Sequence, residues 1–431
     1  MKRLLTSIAL LGLAATAVAE TTAIVGATVH TVGPQGTIEN ATIIITDGEI
    51  SAVGRGIAVP AGVTTVDASG KIVTPGLFSP IGRLGLVEVG NSAGPNDNAQ
   101  TGRQFTAGFD VSNAYNRRST LIAITRVEGV TSAITMPSPG YGDGPDNSGH
   151  VLAGQAAVVS LGDDDWLIKP RAGVVVTLGE SGSNFAGGSR TAAFLQLKNA
   201  LEEAIDYGAN KRDFERGMRR EYTHSMADLE ALQPVLVGET PLIVNAHRAS
   251  DLEAIASLAS DYNVRVIITG GAEAWMVADT LAAADIAVVT TVTDNLPGNF
   301  DRINTRRGAA KILVDAGVDV ALTDGASQTH NARNLTQSAG NAVADGMSRD
   351  AALRAITLTP AEMYGVADRV GSIEPGKAAD LVIWPADPFE MTTYPDQVYI
   401  GGERISMESR QTLLRDRYLD PASDTPPNWR K

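Results

Sequence analysis

The chain changes its pattern of hydrophobic and polar positions twice. Residues 23–31, 41–46, 49–53 and 64–67 are short β-branched runs, set apart by turn signals such as Asp47-Gly48 and Ser69-Gly70. Half-buried strands joined by tight turns produce such a pattern, and no helical period competes with it there. From about Lys71 apolar runs alternate with amphipathic stretches. Strands are expected at 72–77, 132–135, 174–178, 242–246, 264–269, 287–292 and 318–323, with helices at 192–207, 251–262, 274–284 and 306–316. After Thr359-Pro360 the strand pattern returns at 379–384, 398–400 and 403–405, with Gly401-Gly402 as a hairpin turn.

Apolar runs buried on both faces, each followed by a helix, are what a parallel barrel needs. About seven of its eight strands are visible, and the missing one is expected between Tyr141 and Val159. The fold class is therefore α/β, a TIM-like (β/α)8 barrel inserted in a split β-sandwich. Residues 20–73 and 371–406 are expected to make the sandwich, 74–370 the barrel and 407–431 a C-terminal tail.

The first nineteen residues add a destination. Lys2 and Arg3 form a basic start, an apolar stretch follows, and Ala17-Val18-Ala19 is a small-x-small cleavage site. A signal peptide cleaved near Ala19 implies a periplasmic or secreted product. The formal net charge of −14 argues against nucleic acid or an anionic membrane as partner. The chain has no cysteine, which excludes disulfides, a thiolate nucleophile and a Cys-based zinc site. Gly179-Glu180-Ser181-Gly182 is not a Gly-x-Ser-x-Gly elbow, so serine catalysis lacks its usual frame.

Two segments carry a resemblance. One is 357–362 with Gly365 and Val370-Gly371-Ser372-Ile373-Glu374-Pro375-Gly376-Lys377-Ala378-Ala379-Asp380-Leu381-Val382. The other is Gly48-Glu49-Ile50 with Asp67-Ala68-Ser69-Gly70-Lys71-Ile72-Val73-Thr74-Pro75-Gly76-Leu77. They resemble the C-terminal signature of the amidohydrolase superfamily and its run into the first barrel strand, with the imidazolonepropionase-like branch nearest. The resemblance covers essentially the whole mature chain. It implies hydrolysis of non-peptide C–N bonds, amides or cyclic amides, by one or two divalent metals at the barrel mouth. There imidazoles and a carboxylate hold the ion and lower the pKa of a bound water.

The ligand positions implied by that resemblance are mostly lost. Ile81 and Arg83 stand where the family has His-x-His; an Ile cannot ligate and a guanidinium repels a cation. Asn245 replaces the next ligand histidine, with His247 surviving two residues on, and Gly270 replaces another. Asp324 matches the proton-shuttle Asp after the last strand, Glu180 a bridging carboxylate, and His150 a loop near the mouth. Asp324, His247 and Arg83 are thus the catalytic candidates, with Glu180, Asn245 and His150 as candidates for substrate contact. No metal ligand is assigned, because Ile81, Arg83, Asn245 and Gly270 are only vestigial positions.

Three readings fit these residues. The first is a degenerate amidohydrolase that keeps its pocket, binds a small molecule, and pairs with an intact relative or with a second copy of itself; no tightly bound cofactor is expected. The second is an active hydrolase with one divalent metal such as zinc on Glu180, His247 and Asp324. The third is a structural or interaction protein with a filled mouth. Charge balance adds one geometric expectation: with the ion lost, Arg83 reaches into the old metal site and pairs with Asp324 or Glu180.

Overall fold

Two eight-stranded sheets divide the chain. The computed structural model describes residues 20–419, except 91, 93, 95, 101–103, 141–148 and 325–328. The signal-peptide segment and residues 420–431 of the tail lie outside the described residues. Within the rest of the expected tail, Arg410–Leu419 is a helix with no buried residue, a correction to the plain tail.

The first sheet draws on both ends of the chain, in the order β16-β15-β14-β5-β1-β2-β3, with β4 also pairing β1. Its N-terminal members are β1 (Thr21–His30), β2 (Thr37–Thr46), β3 (Glu49–Arg55), β4 (Thr64–Asp67) and β5 (Ile72–Pro75); β14 (Leu381–Trp384), β15 (Gln397–Ile400) and β16 (Glu403–Arg404) come from the other end. β2 turns into β3 through Asp47 and Gly48, both at positive φ, which is the two-residue turn that suits strand twist. Ile24, Val29, Ile43, Ile45, Val73 and Leu381 make its core. β14 pairs antiparallel with β5, and Trp384 Nε1 donates to Thr74 Oγ1 at 2.9 Å. The Asp380-Leu381-Val382 part of the C-terminal signature is thereby fastened to the strand that leads into the barrel.

The second sheet is the barrel, in the order β13-β12-β11-β10-β9-β8-β7-β6. Its strands are β6 (Leu77–Ser79), β7 (Val130–Thr135), β8 (Leu152–Ser160), β9 (Leu167–Thr177), β10 (Leu242–Ala246), β11 (Val266–Gly270), β12 (Ala287–Thr291) and β13 (Val320–Thr323). The strand missing from the sequence pattern is β8, and it runs antiparallel to both neighbours. Only residues 161–166 separate β8 from β9, which suffices for a hairpin; a parallel crossover takes a dozen or more residues. The other seven strands are parallel.

β6 and β13 do not pair with each other. Residues 355–356 stitch the gap: Leu322 N–H donates to Ala355 O at 3.0 Å and Phe78 N–H to Ile356 O at 2.8 Å. The barrel is nearly closed, with a backbone seam instead of a final ladder. Phe78, Ile134, Val175, Ile243, Ile267 and Val289 fill its interior together with Tyr364, whose hydroxyl donates to Pro80 O at 2.6 Å.

Candidate functional site at the barrel mouth

The C-terminal ends of the parallel strands share one rim, the end at which barrels of this kind carry their sites. Because β8 runs the other way, it is the beginning of β8 that meets this rim. Thr177 N–H, at the end of β9, donates to Val151 O at 2.9 Å, which brings His150 alongside. His150 Nδ1 accepts from Leu152 N–H at 3.1 Å, and its ring stands edge-on to His224, with centroids 5.4 Å apart.

His224 lies in the loop before the helix Met226–Leu236. Its Nδ1 is 2.9 Å from Glu203 Oε2. The same carboxylate accepts from the backbone N–H groups of Thr223 and His224. Burial works against charge on Glu203, but these donors outweigh it and hold the carboxyl below its ordinary pKa.

Ile81 is buried in the barrel's interior cluster and offers only hydrocarbon. Arg83 sits in a turn pinned to β7, where Met136 N–H donates to Gly82 O at 3.0 Å and Thr135 Oγ1 to Leu84 O at 2.8 Å. Burial lowers the pKa of its guanidinium, and no nearby carboxylate opposes that shift. Among the described residues the guanidinium makes no ion pair, so the expected bond to Asp324 or Glu180 does not form. The seam gives the reason: residues 355–356 stand between β6 and β13, so the two strand ends are not adjacent. Asp324 instead accepts from Asn334 Nδ2 at 2.7 Å. Glu180 donates its backbone N–H to Asp301 Oδ2 at 2.6 Å, and its own Oε2 is buried with no partner among the described residues.

Asn245 spends its amide on the neighbouring strand, with Nδ2 donating to Thr269 O at 3.1 Å. His247, one residue past β10, is 9% exposed. Gly270 ends β11 at φ +99°, and a Cβ built there would lie 2.3 Å from His247 Cε1 and 2.7 Å from Nδ1. The imidazole therefore fills the space that a side chain at 270 would need.

On its other edge His247 Nε2 is 2.9 Å from the Arg302 guanidinium. A guanidinium can only donate, so Nε2 is the acceptor and the ring proton of the neutral imidazole sits on Nδ1. That Nδ1 is buried without a partner among the described residues. Burial first, then the Arg302 charge, push the pKa of His247 down to about 4. Arg302 is itself anchored by Asp294 Oδ2 at 2.6 Å.

Arg302 belongs to the loop after β12, which straps the mouth at several points. Asp301 is buried, accepts from Glu180 N–H and pairs with Arg190, which also bonds Asp251 at 3.3 Å. Glu273 accepts from Ala249 N–H at 3.0 Å and from Asn304 Nδ2 at 2.9 Å. Sequence reasoning missed Arg302, Asp301 and Glu203. The strap carries no periodicity, and its length between β12 and the next helix, Ala309–Asp315, is its one sequence cue.

The donor set does not fit a divalent ion. His247 has its Nε2 lone pair engaged by the Arg302 cation, Ile81 and Gly270 offer no donor side chain, and Asn245 is bonded to β11. Among the described residues no group of three or more His, Asp or Glu is placed to hold a metal. Near the mouth, the Arg83 guanidinium makes no ion pair and the buried Glu180 Oε2 has no hydrogen-bond partner among the described residues.

Residues 265–405 match the amidohydrolase family model. Over 372 residues, 80% of this chain, it is 22% identical to the amidohydrolase tasK of Hapsidospora irregularis, covering 37% of that protein. A stretch of 111 residues, 25% of this chain, is 39% identical to the imidazolonepropionase of Geobacillus kaustophilus, covering 24% of it. The chain thus spans well under half the length of these curated relatives. Among solved structures, an amidohydrolase from Thermotoga maritima shares the fold with a TM-score of 0.79 at 24% identity, covering 89% of this chain and 99% of that one. Molinate hydrolase also shares it, with a TM-score of 0.53 at 18% identity, covering 96% of this chain and 98% of that one.

Proposed function

Since the chain carries an amidohydrolase-family domain in its C-terminal part, we propose that it is a small-molecule-binding protein derived from hydrolases of C–N bonds and impaired in metal-dependent hydrolysis. One observation carries this reading: Arg302 donates to His247 Nε2, the imidazole two residues beyond Asn245. A nitrogen whose lone pair accepts a hydrogen bond from a guanidinium is not available to an ion, and the guanidinium repels that ion as well. In this reading the product works in the periplasm or after secretion. An intact amidohydrolase relative, or a second copy of the chain, is the partner that would complete its action.

The test is metal content of the purified mature protein, measured before and after incubation with zinc or manganese and dialysis. The expected result is well below one ion per chain, since each lost ligand or support costs ~10–100-fold in affinity. Stoichiometric metal, together with an amide-hydrolysing activity that chelation removes, would overturn the reading. It would promote the hydrolase with a reduced site on Glu180, His247 and Asp324.

A further inference from the structure

A cleft of about 240 Å³ opens between Glu128, the segment from Arg333 to Gln337 and residues 388–394. It is separate from the candidate residues at the barrel mouth but shares a wall with them, because Asn334 lines it and also donates to Asp324 at 2.7 Å. Three charged side chains line it, the part-buried Arg333 and Glu128 and the exposed Glu390. Arg333 acts on Glu128 through space, yet no ion pair joins them, and among the described residues neither side chain has a hydrogen-bonding partner. Glu128 is partly buried, and burial raises its pKa against the pull of Arg333. A part-buried carboxyl and guanidinium that line one cavity without pairing are each costly until something bridges them.

We propose that this cleft binds a zwitterionic small molecule of the α-amino acid type, with its carboxylate on Arg333 and its ammonium on Glu128. The forked guanidinium suits a carboxylate bidentately, and the three donors of an ammonium suit a carboxylate acceptor. A simple anion would leave Glu128 unmet, and a simple cation would leave Arg333 unmet. Pockets for drug-sized ligands start at roughly 300 Å³, so this one fits a smaller molecule with few side-chain atoms. Gln337 and Tyr394 line the same space, and both carry polar groups suited to such a guest.

Isothermal titration of the purified chain with glycine, L-serine and L-glutamine tests this, with acetate and ethylamine as singly charged comparisons. At least one amino acid is expected to bind one-to-one and saturate below ~10 mM, a weak but measurable affinity. Acetate and ethylamine should each bind at least ~10-fold more weakly, for lack of the second charged contact. Arg333→Ala and Glu128→Gln should each weaken the amino acid by a similar factor, circular dichroism verifying that the variants fold. The proposal is overturned if no amino acid saturates, if acetate binds as well as the amino acids, or if binding survives both substitutions.

Discussion

His247 and Gly270 share one volume: the imidazole of the first lies where the side chain of the second would have to start, 2.3 Å from a Cβ. The ring is buried and bonded to Arg302, so it cannot simply swing away. Gly270 also has φ +99°, a conformation that side chains rarely adopt. Gly270→Ala is therefore expected to destabilise the fold by ~2–4 kcal/mol, combining overpacking with backbone strain. Urea unfolding of the two proteins measures it, and an unchanged midpoint would show that the ring moves freely.

Arg302→Met removes the cation next to His247 while keeping much of the side-chain volume. The pKa of His247 should then rise from about 4, yet stay below 6.5 because burial is the larger cause of its depression. NMR titration of histidine-labelled protein reads this directly. A His247 signal that titrates identically in both proteins would mean that the guanidinium does not face the ring.

Stability should fall with acid in a window set by the same residue. Above pH 6.5 His247 is neutral folded or unfolded and the proton balance is even. Between 6.5 and about 4 the unfolded chain takes up a proton that the folded one refuses, so stability drops as pH drops. The whole effect is about 3 kcal/mol, complete below the folded pKa. His247→Gln should flatten this part of the stability–pH curve; an equal slope in the variant would place the acid sensitivity elsewhere.

Arg83→Met tests the unpaired cation. Had Arg83 closed a buried ion pair, its loss would strand a carboxylate at a cost of several kcal/mol. With no such pair, replacing a desolvated guanidinium by an apolar side chain of similar length should be neutral or stabilise the chain by ~1 kcal/mol. A thermal midpoint lowered by many degrees would reveal a carboxylate that depends on Arg83.

Much of the fold was legible because burial imposes periodicity. β10 lies at 242–246 as its apolar run indicates, and both strand-rich ends meet in one sheet. The direction of β8 was not legible: an apolar run reads the same both ways, and only the six-residue link to β9 selects a hairpin. At the site, that Ile81 and Gly270 offer no donor side chain could be read from single letters. What surrounds these positions could not. The sequence raised the need for an internal cation and pointed to Arg83, since strands one and eight of a closed barrel are neighbours. The backbone seam removes that adjacency, and the cation that meets the surviving histidine is Arg302, from a loop without pattern.

The same seam sets an order of events during synthesis. β6 is joined to β13 only through residues 355–356, and β5 finds its second neighbour only in β14. Both joints reach back to residues made long before. A ribosome delivers the strands in sequence, yet the barrel cannot be completed until residues 355–356 have left it, nor the first sheet until β14 to β16 have. Until then β5, β6 and β13 carry open edges, the kind of surface on which unfinished chains stick to one another. The C-terminal segment is thus the last clasp of the molecule, and a chain truncated before residue 355 should remain open and aggregate instead of yielding a smaller folded barrel.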